Sequence, residues 1–135
     1  MLGWISPILS LALLVPQWQA SPGRVVDGDT FDASVLIWTA PATLMPEIRV
    51  RVSGIDTPEL RGKCQPERER AIEARAFTES WLGRAGVVYL RDIRLGMYER
   101  VEARVLDPNG RELGLDLVAA GLARVSTGTR KGWCP

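Results

Sequence analysis

The sequence predicts an α+β, mostly β fold: a small five-stranded barrel carrying one main helix and a short C-terminal helix. Three observations point there. "IRVRVSGI" (48–55) alternates strictly between apolar and polar residues, as a strand with one buried face must. "RVVDGDTF" (24–31) sets β-branched and aromatic residues around Asp-Gly, a strong hairpin signal. From Pro66 the apolar period changes from two to that of a helix.

The elements follow in order. "DASVLIW" (32–38) continues the second strand, and "TAPATLMPE" (39–47) is a loop because Pro41 and Pro46 interrupt pairing. Ile48, Val50 and Val52 share one face of the third strand, with Arg49, Arg51 and Ser53 on the other; Gly54 breaks the alternation as a bulge. "PERERAIEARAFTESWLGR" (66–84) opens with a proline suited to a first helical turn and with early acids. Its expected apolar stripe is Ile72, Ala76, Phe77 and Trp81, with Gly83 as the stop. "GVVYLRDIR" and "RVEARVL" give two more strands, "DPNG" a turn, "LGLDLVAAG" a short helix ended by Gly121, and "LARV" a last extended piece. Three strands, a helix, two strands and a short helix are the order of an OB-type barrel, a fold whose members bind oligonucleotides or oligosaccharides.

At 135 residues the chain is one domain of ordinary size. Its first twenty residues carry no Lys, Arg, Asp or Glu, and Trp4 to Val15 has the length of a signal-peptide core. The expectation is a leader over 1–20 with Ala20 at the cleavage position, a domain over 21–135, and export to the periplasm or medium. Two prolines and the short apolar run argue against a stable membrane span. Two cysteines 70 positions apart exclude a CxxC motif, and in an exported chain Cys64 and Cys134 read as one disulfide.

The net charge is +1, so any nucleic-acid binding must come from a local cluster of positive charge. All but two of the 17 basic residues are Arg, which a GC-rich coding sequence gives and which also suits forked bonds to phosphate. There is no histidine. His-based acid/base chemistry, Ser–His and Cys–His nucleophiles and ordinary zinc sites are therefore excluded. An enzyme built on this chain must work with carboxylates, arginines, hydroxyls and a hard metal ion.

Asp27, Asp29 and Asp32 surround the first hairpin, and Asp56 and Glu59 follow the third strand in "GIDTPEL". If the first three strands are neighbours, these acids meet at one end of the barrel. Facing carboxylates need a cation or an arginine between them, and all-oxygen ligation suits Ca²⁺, Mg²⁺ or Mn²⁺. Arg51 and Arg100, on polar strand faces, would clamp a phosphodiester beside such a metal. The plainer readings, turn-forming aspartates and cross-strand surface arginines, remain open on spacing alone.

"VVDGDTF", "RVRVSGIDTPEL", "MYERVEARVL" and "AAGLARV" stand in the order and approximate spacing of the staphylococcal-nuclease-like (thermonuclease) family, which the chain resembles over about residues 24–126. With "GKC" and "GWC" it is similar to a bacterial exported subgroup. The resemblance implies hydrolysis of phosphodiester bonds in DNA and RNA, usually with Ca²⁺, leaving 3′-phosphate products. It implies Asp29, Asp56 and the Thr57 carbonyl as metal ligands, Glu59 as general base, Arg51 and Arg100 as phosphate clamp, and Tyr98 in the nucleotide pocket. A monomer is expected. The chain departs from the family pattern at Met97 and Glu99, where members often have Lys and Gly, and at Ser126–Thr129, where aromatics are common. The alternatives kept are a non-catalytic oligonucleotide-binding OB module and a structural domain of the cell envelope.

Overall fold

The structure is a computed structural model and describes residues 17–37, 43–96, 100–128 and 132–135. Its elements are β1 (Gln17–Asp27), β2 (Thr30–Ile37), β3 (Thr43–Val52), β4 (Ile55–Asp56), α1 (Gln65–Ala85), β5 (Val88–Leu95), β6 (Arg100–Leu106), α2 (Leu113–Ala119) and β7 (Arg124–Val125). Five strands close into a barrel in the order β1-β2-β3-β6-β5, and β4 pairs with β7 in a separate ribbon. This is the expected α+β architecture, an OB-type five-stranded barrel with one main helix and one short one. No helix among the described residues is long and apolar enough to cross a membrane.

Strand alternation builds the core. Val50, Val52, Val101, Ala103 and Val105 point inward and are buried, as are Phe31, Val35 and Leu90, while Arg49, Arg100 and Arg104 point out. The β3–β6 seam is parallel, with Arg49↔Arg100, Val50↔Val101 and Arg51↔Glu102 in register. A parallel pair needs a long connection, and here α1 and β5 supply it. Helix α2 adds Leu113 and Leu117, both fully buried.

The barrel is closed by β1 against β5, through Gln17↔Arg91, Trp18↔Leu90, Gln19↔Tyr89 and Ala20↔Val88. Those four β1 residues lie within the stretch expected to be a leader, and Ala20 is only 1 % exposed. Residues 1–16 are outside the described part.

Helix α1 differs from expectation in its face and its end. Ile72 is 61 % exposed and Ala76 is exposed, whereas Ala71, Ala74, Thr78, Trp81 and Leu82 are buried with Glu67. The helix presents small residues to the barrel because it lies too close for larger ones, as the Gly28 contact below shows. It runs through Gly83 to Ala85 and stops at Gly86, whose positive φ of 73° suits glycine and whose tight turn lets the Val87 N–H donate to the Ala85 carbonyl at 2.8 Å. Gly54 is likewise a turn residue (φ 79°) rather than a bulge. The expected bridge between Cys64 and Cys134 is present, with Cα atoms 5.9 Å apart. Closing a loop of that length contributes roughly 4 kcal/mol in the chain-entropy account.

Candidate active site

The site starts from the Asp27-Gly28-Asp29 turn between β1 and β2. A Cβ on Gly28 would stand 2.8 Å from the Ala74 Cβ and 3.1 Å from Thr57 Cγ2, so only glycine lets the turn press onto α1. The Thr78 hydroxyl, buried in α1, donates to the Gly28 carbonyl at 2.6 Å and fixes the approach. Asp29 is held in turn. Its N–H donates to Asp27 Oδ1 (3.2 Å), its Oδ1 accepts from the Thr30 hydroxyl (2.9 Å), and its carbonyl accepts from the Val52 N–H (2.8 Å).

Arg51 joins the two acidic segments. Its Nη1 lies 3.0 Å from Asp29 Oδ2 and its Nη2 lies 3.0 Å from Asp56 Oδ1. Nη1 also donates to the carbonyls of Val52 (3.0 Å) and Ile55 (3.1 Å). The Gly54 turn makes this possible: it folds β4 back, so that Asp56 faces an arginine five positions earlier. Side-chain exposures of 21 % for Arg51, 11 % for Asp29 and 23 % for Asp56 put the triad in a partly dehydrated setting, where opposite charges attract more strongly than in water. Asp27 completes the acid group. Burial first, then the hydrogen bond and charge of Asp29, push its carboxyl up to about 7.

The other expected site residues are placed as follows. Thr57 and Pro58 are buried and anchor the chain after Asp56, and Glu59 follows on the exposed side of the 57–64 loop. Arg100 stands on the same outer barrel face as Arg51, with its Nη2 3.4 Å from Glu102, the residue in register with Arg51. Asp32 does not join the acid group; it pairs with Arg49 at 2.9 Å. Tyr98, Met97 and Glu99 lie outside the described residues.

Asp29 and Asp56 each turn a carboxylate oxygen toward one guanidinium, so two acids flank a single positive charge. Carboxylate oxygens are donors that hard divalent cations take, so the chemistry of these two side chains is compatible with such an ion. A second grouping, Cys64, Glu67 and Cys134, brings donor atoms within 4.8 Å of one another, but the disulfide leaves no thiolate to bind a metal. A cleft of about 710 Å³ lined by Phe77, Trp81, Arg84 and Arg111 shares no residue with the acid–arginine group.

Sequence reasoning gave no role to Thr78 and read Glu67 as an ordinary first-turn acid. Glu67 is 8 % exposed and its carboxylate accepts from the N–H groups of Glu59 and Lys63, both at 3.2 Å. Its only signal in sequence is a position three residues after the helix cap.

The family model described as staphylococcal nuclease homologue matches residues 49–132, more than half of the chain. Comparison with curated proteins gives no match.

Proposed function

The chain belongs to the staphylococcal nuclease homologue family, and from that premise we propose that it is an exported, metal-dependent nuclease hydrolysing phosphodiester bonds of DNA and/or RNA. The observation that carries the reading is Arg51 bridging Asp29 and Asp56 at 3.0 Å on both sides. That arrangement supports a phosphate-binding arginine directly beside a hard-cation site.

In this reading Asp29, Asp56 and the Thr57 carbonyl hold Ca²⁺, with Mg²⁺ or Mn²⁺ as substitutes. The bound cation would supply charge neutralisation and Lewis-acid polarisation at the phosphoryl group. Arg51 and Arg100 hold non-bridging phosphate oxygens; both stay charged at any working pH, so they act electrostatically and never as proton carriers. Glu59 accepts the proton of the attacking water. The water oxygen bonds to phosphorus and the bond to the 5′-oxygen breaks; that oxygen takes a proton from solvent water, and Glu59 returns its own to solvent. The products carry a 3′-phosphate and a 5′-hydroxyl. Tyr98, outside the described residues, is assigned a nucleotide-binding role by the family resemblance alone, and the protein acts as a monomer. Export rests on the apolar run Trp4 to Val15, which precedes the barrel-closing strand at Gln17–Ala20, and is supported by the Cys64–Cys134 disulfide, a bond characteristic of oxidising compartments.

The test is hydrolysis of single- and double-stranded DNA and of RNA, with Ca²⁺, Mg²⁺, Mn²⁺ or EGTA. Cleavage is expected with metal, none in EGTA, and none in Glu59→Gln at an unchanged melting temperature. Full activity of Glu59→Gln, or of the wild type in EGTA, would refute these roles. Oligonucleotide binding that persists in chelator without product in any metal would instead identify a non-catalytic binding module.

A further inference from the structure

We propose that Glu67 is a positioning residue for Glu59: it sets the loop that presents the water-activating carboxylate, and the Cys64–Cys134 bridge keeps it dry enough to do so. The inference rests on the role of Glu59 given above. The 57–64 loop has no regular structure of its own beyond one turn, in which the Gly62 N–H donates to the Glu59 carbonyl at 2.9 Å. Glu67 braces that turn from behind. One oxygen accepts the Glu59 N–H and the other accepts the Lys63 N–H, each at 3.2 Å, so one carboxylate grips the loop at both ends. An ordinary helix-capping acid at this position reaches back to the cap residue itself. Glu67 reaches past Cys64 to residues 63 and 59, and ties the helix start to the catalytic loop instead.

The loop is shaped to receive it. A Cβ on Gly62 would stand 2.5 Å from the Glu67 side chain, so the glycine admits the carboxylate to its place. Arg68, the next residue of the helix, donates from Nη1 to the Gly62 carbonyl at 2.9 Å. Cys134 Sγ lies 3.7 Å from Glu67 Oε1; a disulfide sulfur carries no proton, so this is packing, and it covers the carboxylate. Charge-assisted bonds to backbone N–H groups strengthen as water is excluded. The disulfide therefore acts on the loop through Glu67, at the first residues of the helix it caps.

The experiment compares wild type, Glu67→Gln and Glu67→Ala for turnover, KM and amide hydrogen exchange. Alanine removes both acceptors, and glutamine keeps one. A small displacement of a catalytic group can cost about 100-fold in rate, so kcat should fall by about that factor in Glu67→Ala and less in Glu67→Gln. KM and the Ca²⁺ requirement should stay as in wild type. Exchange should quicken at the Glu59 and Lys63 amides while the barrel amides remain protected. A kcat that holds at the wild-type value in Glu67→Ala, with those two amides opened, would overturn the proposal. So would unchanged exchange at those amides. If the wild type itself cleaves nothing, the exchange data still report whether Glu67 holds the loop, and the failure belongs to the nuclease reading. Reduction of the bridge should reproduce the faster exchange at Glu59 and Lys63; protection there that is indifferent to reduction would refute the shielding role.

Discussion

Ala20 pairs with Val88 across the closing seam of the barrel and is 1 % exposed, although it lies in an N-terminal stretch, residues 1–23, without a charged side chain. All of the β1–β5 register lies between Gln17 and Ala20. A protein beginning at Gln17 should therefore fold like the longer chain, and one beginning at Ser21 should not. Trp18 packs against the core from this segment, and removing a large core side chain costs about 3 kcal/mol or more. Thermal melts of the two truncations decide it; equal midpoints would show that the seam is dispensable.

Arg51 should matter for stability as well as for activity. Arg51→Ala leaves Asp29 and Asp56 without their shared positive charge, and breaking a partly buried pair in this way costs about 2 kcal/mol. Millimolar Ca²⁺ should raise the melting point of Arg51→Ala more than that of the wild type, because binding to the native state alone stabilises it. Arg51→Lys keeps the charge, but a point ammonium cannot span two carboxylates, and activity should fall about 100-fold. Melting curves in EGTA and in Ca²⁺, with rates of hydrolysis, test both halves.

Gly28→Ala should damage the site through packing alone. The new methyl group would meet Ala74 at 2.8 Å, so the turn must lift from α1 and carry Asp29 with it. Overpacking of this kind costs about 1–3 kcal/mol. Metal affinity, read by calorimetry, should fall along with stability. Pairing Gly28→Ala with Ala74→Gly should restore part of both, and failure to do so would exclude the close contact as the cause.

Asp116 gives a pH dependence far from the acid group. Its burial alone would raise its pKa, but the Trp81 indole N–H at 2.8 Å and the paired bonds from Arg111 at 3.2 Å outweigh that, so its carboxyl titrates below the ordinary value of 3.8. A group with a depressed native pKa stabilises the fold above its unfolded pKa and loses that contribution as the pH falls through the native one. Asp116→Asn should thus be less stable by about 1 kcal/mol at pH 7. The gap to wild type should begin to close as the pH drops below 3.8. A gap that stays constant from pH 7 to pH 2 would exclude charge as its origin.

The strands that build the barrel wall were legible where alternation shows which face is buried, and Ile48, Val50 and Val52 fell where the pattern put them. But β3 begins at Thr43, inside the 39–47 stretch read as a loop, where it pairs with β2 despite Pro46. Closure of the barrel was not legible either, since hydropathy cannot separate an inward strand end such as Trp18–Ala20 from the apolar run before it. The helix register failed for a related reason. A helix pressed against glycine buries alanines, and Ala71 and Ala74 leave no apolar signal to outvote an exposed Ile72. Asp29, Arg51 and Asp56 could be proposed as neighbours from sequence, but the contact depends on Gly54 turning β4 back. Glu67 could not be picked out, because its partners are backbone amides with no identity of their own in the sequence.

The bridge between Cys64 and Cys134 encloses α1, β5, β6, α2 and β7 in one covalent arc. A protease that cuts once within it, for instance at the exposed Pro108–Arg111 turn, separates no fragment from the rest. The nicked chain would migrate as one species until reductant is added, and the new ends would remain tethered where the barrel can hold them. In a compartment rich in proteases, the molecule can be broken in sequence and still remain one piece.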